Sequence, residues 1–217
     1  MAFEILTYGD AEAETLLVQM VDDHDLEGIE KEISLIREMT GGQKFCLKAV
    51  KAGNWNNDLS PWSAPAVFGN EDFGGQAQTA LEHLKARVLA GRDGGAVFGK
   101  VYLGGYSLAG LFALWAGTRE DCFDGLAAAS PSVWFPGFTD YLRENRVMAP
   151  AVYLSLGDRE ERTRNPVMAR VGEAIRETEK ILKDAGTDCI LEWNKGNHFR
   201  DADKRTARAF AWLMNRS

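Results

Sequence analysis

A serine among small residues follows an apolar run near the middle of the chain. Residues 104–110 read GGYSLAG, with Ser107 at the centre. A tight turn from a strand into a helix needs neighbours without bulk, and Gly105, Ala109 and Gly110 meet that need. Ser107 at the tip of such a turn would be placed to attack a carbonyl carbon. The alternative is an ordinary glycine turn in which the serine caps the next helix.

A nucleophilic serine requires a base within hydrogen-bond reach. The sequence offers three histidines, His24, His83 and His198. His83 falls inside a helical pattern over residues 76–90, where a packed or solvated side chain is the simpler interpretation. His24 and His198 each follow a strand-like run, so both are candidates for a site at the ends of strands.

A third group would have to orient the imidazole, and an acidic corner between Ser107 and His198 can supply it. Residues 157–161 read GDREE after a strand-like run. Asp158, Glu160 and Glu161 are all candidates. The spacing alone does not choose among them.

The elements that must position these groups alternate along the chain. We expect strands over residues 3–8, 15–21, 44–51, 97–104, 125–129, 151–156 and 189–193. We expect helices over 27–39, 76–90, 108–115, 139–145, 166–185 and 202–214. This alternation predicts one α/β domain over 1–217, with a mainly parallel sheet and helices on both faces. Each polar corner follows a strand, and ligands of open α/β sheets collect at that edge.

Two loops rich in aromatic residues follow strands in this pattern. Residues 52–74 form a loop too long to be structureless without a functional reason, and residues 130–136 read SPSVWFP. We expect Trp55, Trp62, Phe73 and Trp134 to line a substrate pocket. Packing in the core is the alternative for each ring.

Composition limits the partners. The chain has 32 acidic residues against 25 Lys and Arg, for a formal charge of −7, which disfavours nucleic-acid binding. We find no signal sequence and no apolar stretch of membrane-spanning length, so we expect a cytoplasmic protein without a membrane partner. The cysteines Cys46, Cys122 and Cys189 lie among apolar residues, which predicts core thiols and no metal site.

Four segments together carry a resemblance to a known family. They read GYSLAG from Gly105, SPSVW from Ser130, LGDRE from Leu156 and GNHF from Gly196. In these segments the chain resembles the α/β-hydrolase superfamily, and within it the esterase group of esterase D, the enterobactin-type siderophore esterases and the mycolyl transferases. Ala109 stands where the common motif has glycine, and it is still small. The resemblance implies the hydrolase fold without a large lid.

The resemblance also implies the site. The family order of serine, acid and histidine selects His198 over His24, and an acid three residues after the strand-ending glycine selects Glu160. The oxyanion hole would use the backbone amides of Leu108 and of Asp23 in the loop of residues 22–24. A donor from the Trp55 loop is the alternative.

The implied function is a serine esterase that acts on a small-molecule ester through an acyl-enzyme, without metal or other cofactor. A thioesterase, an acyl transferase or a peptidase would use the same triad. A non-catalytic binding protein with this fold is a further alternative. No cluster of arginines is evident in the sequence, so nothing favours an anionic substrate such as a triscatechol ester.

Overall fold

Strands and helices alternate along residues 3–90 and 98–216, which are the residues that the computed structural model describes. The strands are β1 (Glu4–Gly9), β2 (Thr15–Val21), β3 (Cys46–Lys51), β4 (Ser63–Ala64), β5 (Phe73–Gly74), β6 (Lys100–Tyr106), β7 (Gly125–Ala129), β8 (Ala151–Gly157) and β9 (Asp188–Asn194). The helices are α1 (Asp23–Met39), α2 (Trp55–Asp58), α3 (Ala77–Leu84), α4 (Leu108–Ala116), α5 (Phe138–Glu144), α6 (Val171–Asp184) and α7 (Ala202–Met214).

One seven-stranded sheet organises the fold. Its order is β1-β3-β2-β6-β7-β8-β9, and β4 pairs separately with β5. Every neighbouring pair in the large sheet is parallel except β1 with β3. The mainly parallel sheet predicted from the sequence is confirmed. Because β6, β7, β8 and β9 are consecutive neighbours, the loops after them meet at one edge.

Helices cover both faces of this sheet, as the sequence predicts. Alternate side chains of a strand point to opposite faces. On β2, Leu17 and Val21 pack with α1 and α7. Leu16, Val18 and Met20 pack into the opposite core, which includes residues of α3, α4, α5 and α6.

The start of α1 differs from the expected position. The helix begins at Asp23 rather than at residue 27, because Asp22 caps it. The Asp22 carboxylate accepts from the Asp25 N–H at 2.8 Å, and the Asp25 carboxylate accepts from the Asp22 N–H at 3.2 Å. This reciprocal capping box begins the helix one turn early.

The serine strand is also shifted from its expected position. The sequence predicts this strand over 97–104, whereas β6 covers Lys100–Tyr106. Val97 lies outside the described residues. The strand continues through Gly104 and Gly105, where neighbouring residues lie too close to leave room for a side chain. A Cβ on Gly104 would come within 2.6 Å of the Ala127 Cβ.

The long loop of residues 52–74 contains regular structure. The Asn54 side chain caps α2 by accepting from the Asn57 N–H at 2.7 Å. The buried Asp58 carboxylate accepts from the backbone N–H groups of Gly53 and Asn54 at 3.0 and 2.9 Å. The β4–β5 pair then joins the two ends of the second half of the segment.

Three smaller points complete the fold. The helix expected over 76–90 continues beyond α3 as a π-helical turn at Lys85–Leu89. Cys46 and Cys189 are buried as expected, but Cys122 is exposed because it lies in the loop between α4 and β7. No helix within the described ranges is long and apolar enough to span a membrane.

Candidate active site

Ser107 lies on a sharp turn between β6 and α4. Its backbone has φ 57° and ψ −119°, a conformation that L-residues rarely adopt outside strained turns. The side chain makes no capping bond to α4, so helix capping does not explain the serine. Gly105 leaves the space that the turn needs, since a Cβ there would lie 2.5 Å from the Ala109 Cβ.

Three side chains from three loops form a continuous hydrogen-bonded chain. The Ser107 Oγ lies 3.0 Å from His198 Nε2, and His198 Nδ1 lies 2.7 Å from Glu160 Oε2. Ser107 follows β6, Glu160 follows β8 and His198 follows β9. The structure therefore brings together the three residues that the resemblance implies.

Glu160 is buried in a dense polar environment. Its Oε1 accepts from Gly157 N–H at 2.6 Å, Ser130 Oγ at 2.9 Å and Arg205 Nη1 at 2.7 Å. Burial alone would raise the pKa of this carboxyl. The hydrogen bond and charge of His198, aided by Gly157 and Ser130, outweigh burial and hold the pKa below its ordinary value. Glu160 is therefore ionised at neutral pH.

The other two acidic candidates contact different groups. Asp158 Oδ1 accepts from the Gly196 N–H at 2.8 Å and so holds the loop that carries His198. Glu161 lies 3.5 Å from Arg176 on α6. Among the three carboxylates, only Glu160 contacts the imidazole.

Sequence reasoning missed Arg205, which is 1% exposed on α7. Its Nη1 also donates to Tyr106 OH and Ser130 Oγ, both at 3.0 Å, and its Nη2 donates to the Asn197 carbonyl at 3.0 Å. It therefore connects the acid to the loop of His198. Its place on the apolar face of a C-terminal helix was the only signal in the sequence.

The loop after β7, which the sequence predicts to place Trp134 in the pocket, also contributes two serines to the site. Besides Ser130, it carries Ser132, whose Oγ lies 3.2 Å from the Ser107 Oγ. The Ser132 N–H donates to the Ser107 carbonyl at 3.0 Å. Tyr106 OH donates to the His198 carbonyl at 2.7 Å. These contacts fix the turn and the imidazole loop relative to each other.

The two expected oxyanion donors differ in their surroundings. Leu108 opens α4 directly after Ser107. Asp23 opens α1, and its side chain is 83% exposed and pairs with Lys51 at 2.5 Å, away from Ser107. In the same loop the Asp22 N–H is committed to Asp25. The amide of Asp23 as the second donor remains a prediction.

Only two of the four aromatic candidates border the site. Trp55 lines a cavity of about 150 Å³ with Ser107 and His198, and Trp134 lines one of about 260 Å³ with Glu160 and His198. Phe73 is buried, and the Trp62 ring packs at a tilt against Phe135 with 5.5 Å between the ring centroids; neither residue lines these two cavities. Both rings pack in an aromatic cluster with Phe135, and Phe73 also contacts Trp134. A substrate-binding role for Trp62 and Phe73 stays a prediction.

The cavity of about 260 Å³ brings two arginines together, although no arginine cluster is evident in the sequence. Arg159 and Arg162 both line it, along with the apolar Met168 and Val171. Neither arginine forms an ion pair with the described residues. Within those residues, no group of three or more His, Cys, Asp or Glu side chains is arranged to hold a metal ion.

A sheet in this order, with a serine on the turn after β6, defines the α/β-hydrolase fold. No family model matches the chain, and no curated protein matches it. Solved structures do share its fold. Siderophore hydrolase EstA from Aspergillus nidulans matches with a TM-score of 0.75 and 20% identity, over 99% of this chain and 90% of its own.

Two further structures extend this similarity. An IroE-like serine hydrolase from Shewanella oneidensis matches with a TM-score of 0.78 and 14% identity, over 98% of this chain and 75% of its own. The enterobactin esterase FES from Shigella flexneri matches with a TM-score of 0.64 and 18% identity, over 97% of this chain and 55% of its own. At these identities the similarity establishes the fold.

Proposed function

We propose that this chain is a serine hydrolase that cleaves a small-molecule carboxylic ester through an acyl-enzyme. The observation that carries the proposal is the chain of hydrogen bonds from Glu160 through His198 to Ser107. The same arrangement of acid, imidazole and serine activates the nucleophile in serine hydrolases on several folds. The hydrolase and esterase names of the structures that share the fold agree with this proposal.

Acylation follows from the contacts of the three side chains. His198 Nε2 accepts the Ser107 hydroxyl proton as Oγ attacks the ester carbonyl carbon. His198 Nδ1 donates to the ionised Glu160, which stabilises the imidazolium that forms. The imidazolium then gives its proton to the alkoxy oxygen of the ester as the bond to the carbonyl carbon breaks. The alcohol departs, and the acyl group stays bound to Ser107.

Deacylation repeats these steps with water. His198 takes a proton from the water that attacks the acyl carbon, and it returns that proton to Ser107 as the acid is released. We assign the oxyanion hole to the backbone N–H groups of Leu108 and Asp23. A side chain supplies the nucleophile, so the reaction requires no cofactor.

Covalent labelling tests the proposal. A fluorophosphonate probe reacts with an activated serine, and we expect it to modify only the peptide that contains Ser107. Ser107→Ala should abolish both labelling and the hydrolysis of a short nitrophenyl ester. Ser132→Ala is the matched control, because its hydroxyl is only 3.2 Å from the Ser107 Oγ. Labelling of Ser132, or of neither serine in the folded protein, would contradict the proposed function.

A further inference from the structure

Two adjoining cavities lie on the α1 side of Ser107. The first, of about 150 Å³, contains Ser107 and His198, and its other walls include Asp22, Asp25 and Trp55. The second, of about 210 Å³, is lined by Asp25, Glu32, Asp201 and Asp203. His24, Asp25, Phe199 and Ala202 line both cavities. Together they form one acidic cleft, defined here by the linings of these two cavities, that opens onto the serine.

Not all of the acidic groups in this cleft are neutralised. Asp203 pairs with Lys31 at 2.5 Å, and Asp201 lies 3.2 Å from Arg200. Asp22 and Asp25, however, contact each other's backbone amides, and no Lys or Arg of the described residues pairs with either. His24 stands at the rim, 88% exposed, with Glu27 at 3.6 Å. Among the described residues, neither the Asp22 nor the Asp25 carboxylate is therefore in an ion pair with a Lys or Arg side chain.

Glu32 adds a buried carboxyl oxygen whose hydrogen-bonding capacity is unfilled. It is only 3% exposed, and it lines the cavity of about 210 Å³. Its Oε2 accepts from Gln19 Nε2 at 3.3 Å, whereas its Oε1 has no hydrogen-bond partner among the described residues. A buried carboxyl oxygen without a partner is costly unless a ligand satisfies it.

Burial favours the protonated forms of two carboxyls in the cleft, Asp25 and Glu32. Burial, and then the charge of Asp22, raise the pKa of Asp25 to about 6, although the Asp22 amide and His24 oppose the shift. Burial also raises the pKa of Glu32 well above its ordinary value. A bound cation would stabilise the ionised forms of both groups.

Aromatic rings complete the walls of the cleft. Trp55 lines the part that contains Ser107, and Phe199, which is 90% exposed, stands between the cleft and the cavity of about 260 Å³ on the other side of His198. Carboxylates combined with aromatic faces recognise organic ammonium groups. The cavity beyond Phe199 carries Arg159 and Arg162 instead, so the two sides of the site differ in charge.

We propose that the ester substrate carries an organic ammonium group, and that this group binds in the acidic cleft beside Ser107. The inference rests on the proposed function, because it places the scissile ester at Ser107. It orients the substrate with its ammonium end toward Asp25 and the remainder toward Arg159 and Arg162.

Matched esters test this orientation. Nitrophenyl 6-aminohexanoate and nitrophenyl heptanoate differ by an ammonium in place of a methyl group in the acyl part. 6-Aminohexyl benzoate and heptyl benzoate differ in the same way in the alcohol part. We expect kcat/KM to favour the ammonium member of at least one pair by about tenfold. The preference should grow as the pH rises through the pKa of Asp25, about 6.

Two variants distinguish the cleft from the general negative charge of the protein. Asp25→Asn keeps an oxygen that can accept from the Asp22 amide but removes the charge, and it should bring the ratio close to one. Glu27→Gln removes one exposed charge from the same helix outside both cavity linings, and it should leave the ratio unchanged. A ratio near one in the unmodified protein for both pairs, or equal effects of the two variants, would overturn the inference.

A binding measurement separates this inference from the proposed function. Calorimetry with Ser107→Ala, which cannot turn over, should detect binding of n-hexylammonium but not of n-hexanol, and Asp25→Asn should abolish it. Asp25-dependent binding without hydrolysis of any ester would support the cleft while refuting the proposed function. Ester hydrolysis with neither a preference for ammonium esters nor binding of hexylammonium would refute the ammonium site and leave the proposed function standing.

Discussion

Replacing Arg205 tests how the site is held together. The guanidinium is 1% exposed and lies 2.7 Å from the Glu160 carboxylate, which is itself 7% exposed. Arg205→Met keeps an unbranched apolar chain but removes the cation and its hydrogen bonds to Tyr106, Ser130 and Asn197. Glu160 would then be a buried carboxylate without its cationic partner.

The size and pH dependence of the effect follow from this burial. Removing one partner of a buried ion pair costs about 3–5 kcal/mol of unfolding free energy. The pKa of Glu160 lies below its ordinary value in the folded protein, so the stability linked to its charge is present above pH 4.5 and is lost as the pH falls through the lowered pKa. The deficit of Arg205→Met should therefore be largest above pH 4.5 and shrink in acid.

Urea denaturation followed by tryptophan fluorescence, from about pH 8 to about pH 3, measures this deficit. Arg208→Met is the matched control on the same helix, because Arg208 is 34% exposed in its pair with Glu192. We expect it to cost less than about 1 kcal/mol. In the folded variant, a shift of Glu160 and the His198 loop of about 1 Å would lower kcat/KM by roughly 10²-fold. Equal losses for the two variants, or a deficit for Arg205→Met that does not change with pH, would refute this reasoning.

Two further predictions concern the acid and the turn. Glu160→Gln should lower kcat/KM by roughly 10⁴-fold because Gln cannot stabilise the imidazolium, while Asp158→Asn and Glu161→Gln should change stability by less than about 0.5 kcal/mol and keep activity. Nitrophenyl ester kinetics on the three proteins decide this, and a larger rate loss at either control position would reassign the acid. Gly105→Ala should cost about 1–3 kcal/mol, because its Cβ would lie 2.5 Å from the Ala109 Cβ. Adding Ala109→Gly should recover part of that loss in thermal unfolding, and no recovery would show that the contact with Ala109 is not the cause.

Local patterns predicted most of the secondary structure. The bounds of β2, β7 and α7 match their expected ranges, because β2 and β7 are short, largely apolar runs and α7 carries apolar residues at helical spacing. The errors fall where a local polar contact competes with the hydrophobic pattern. The capping box of Asp22 and Asp25 starts α1 early, and Asn54 builds α2 inside what the pattern shows as a loop.

The residues of the site also divide into those that local sequence signals predict and those that packing brings together. The sequence by itself determined that Ser107, His198 and an acidic corner follow strands, because apolar runs and small residues are local signals. Residue spacing left three acids open, and only the family resemblance selected Glu160. Tertiary structure shows the contact itself, since Glu160 lies against His198 while Asp158 and Glu161 contact other groups. It also placed Arg205 against Glu160, 45 residues away in sequence. These contacts depend on how β8, β9 and α7 pack against one another. The separation of residues in the sequence does not specify the distances that this packing sets.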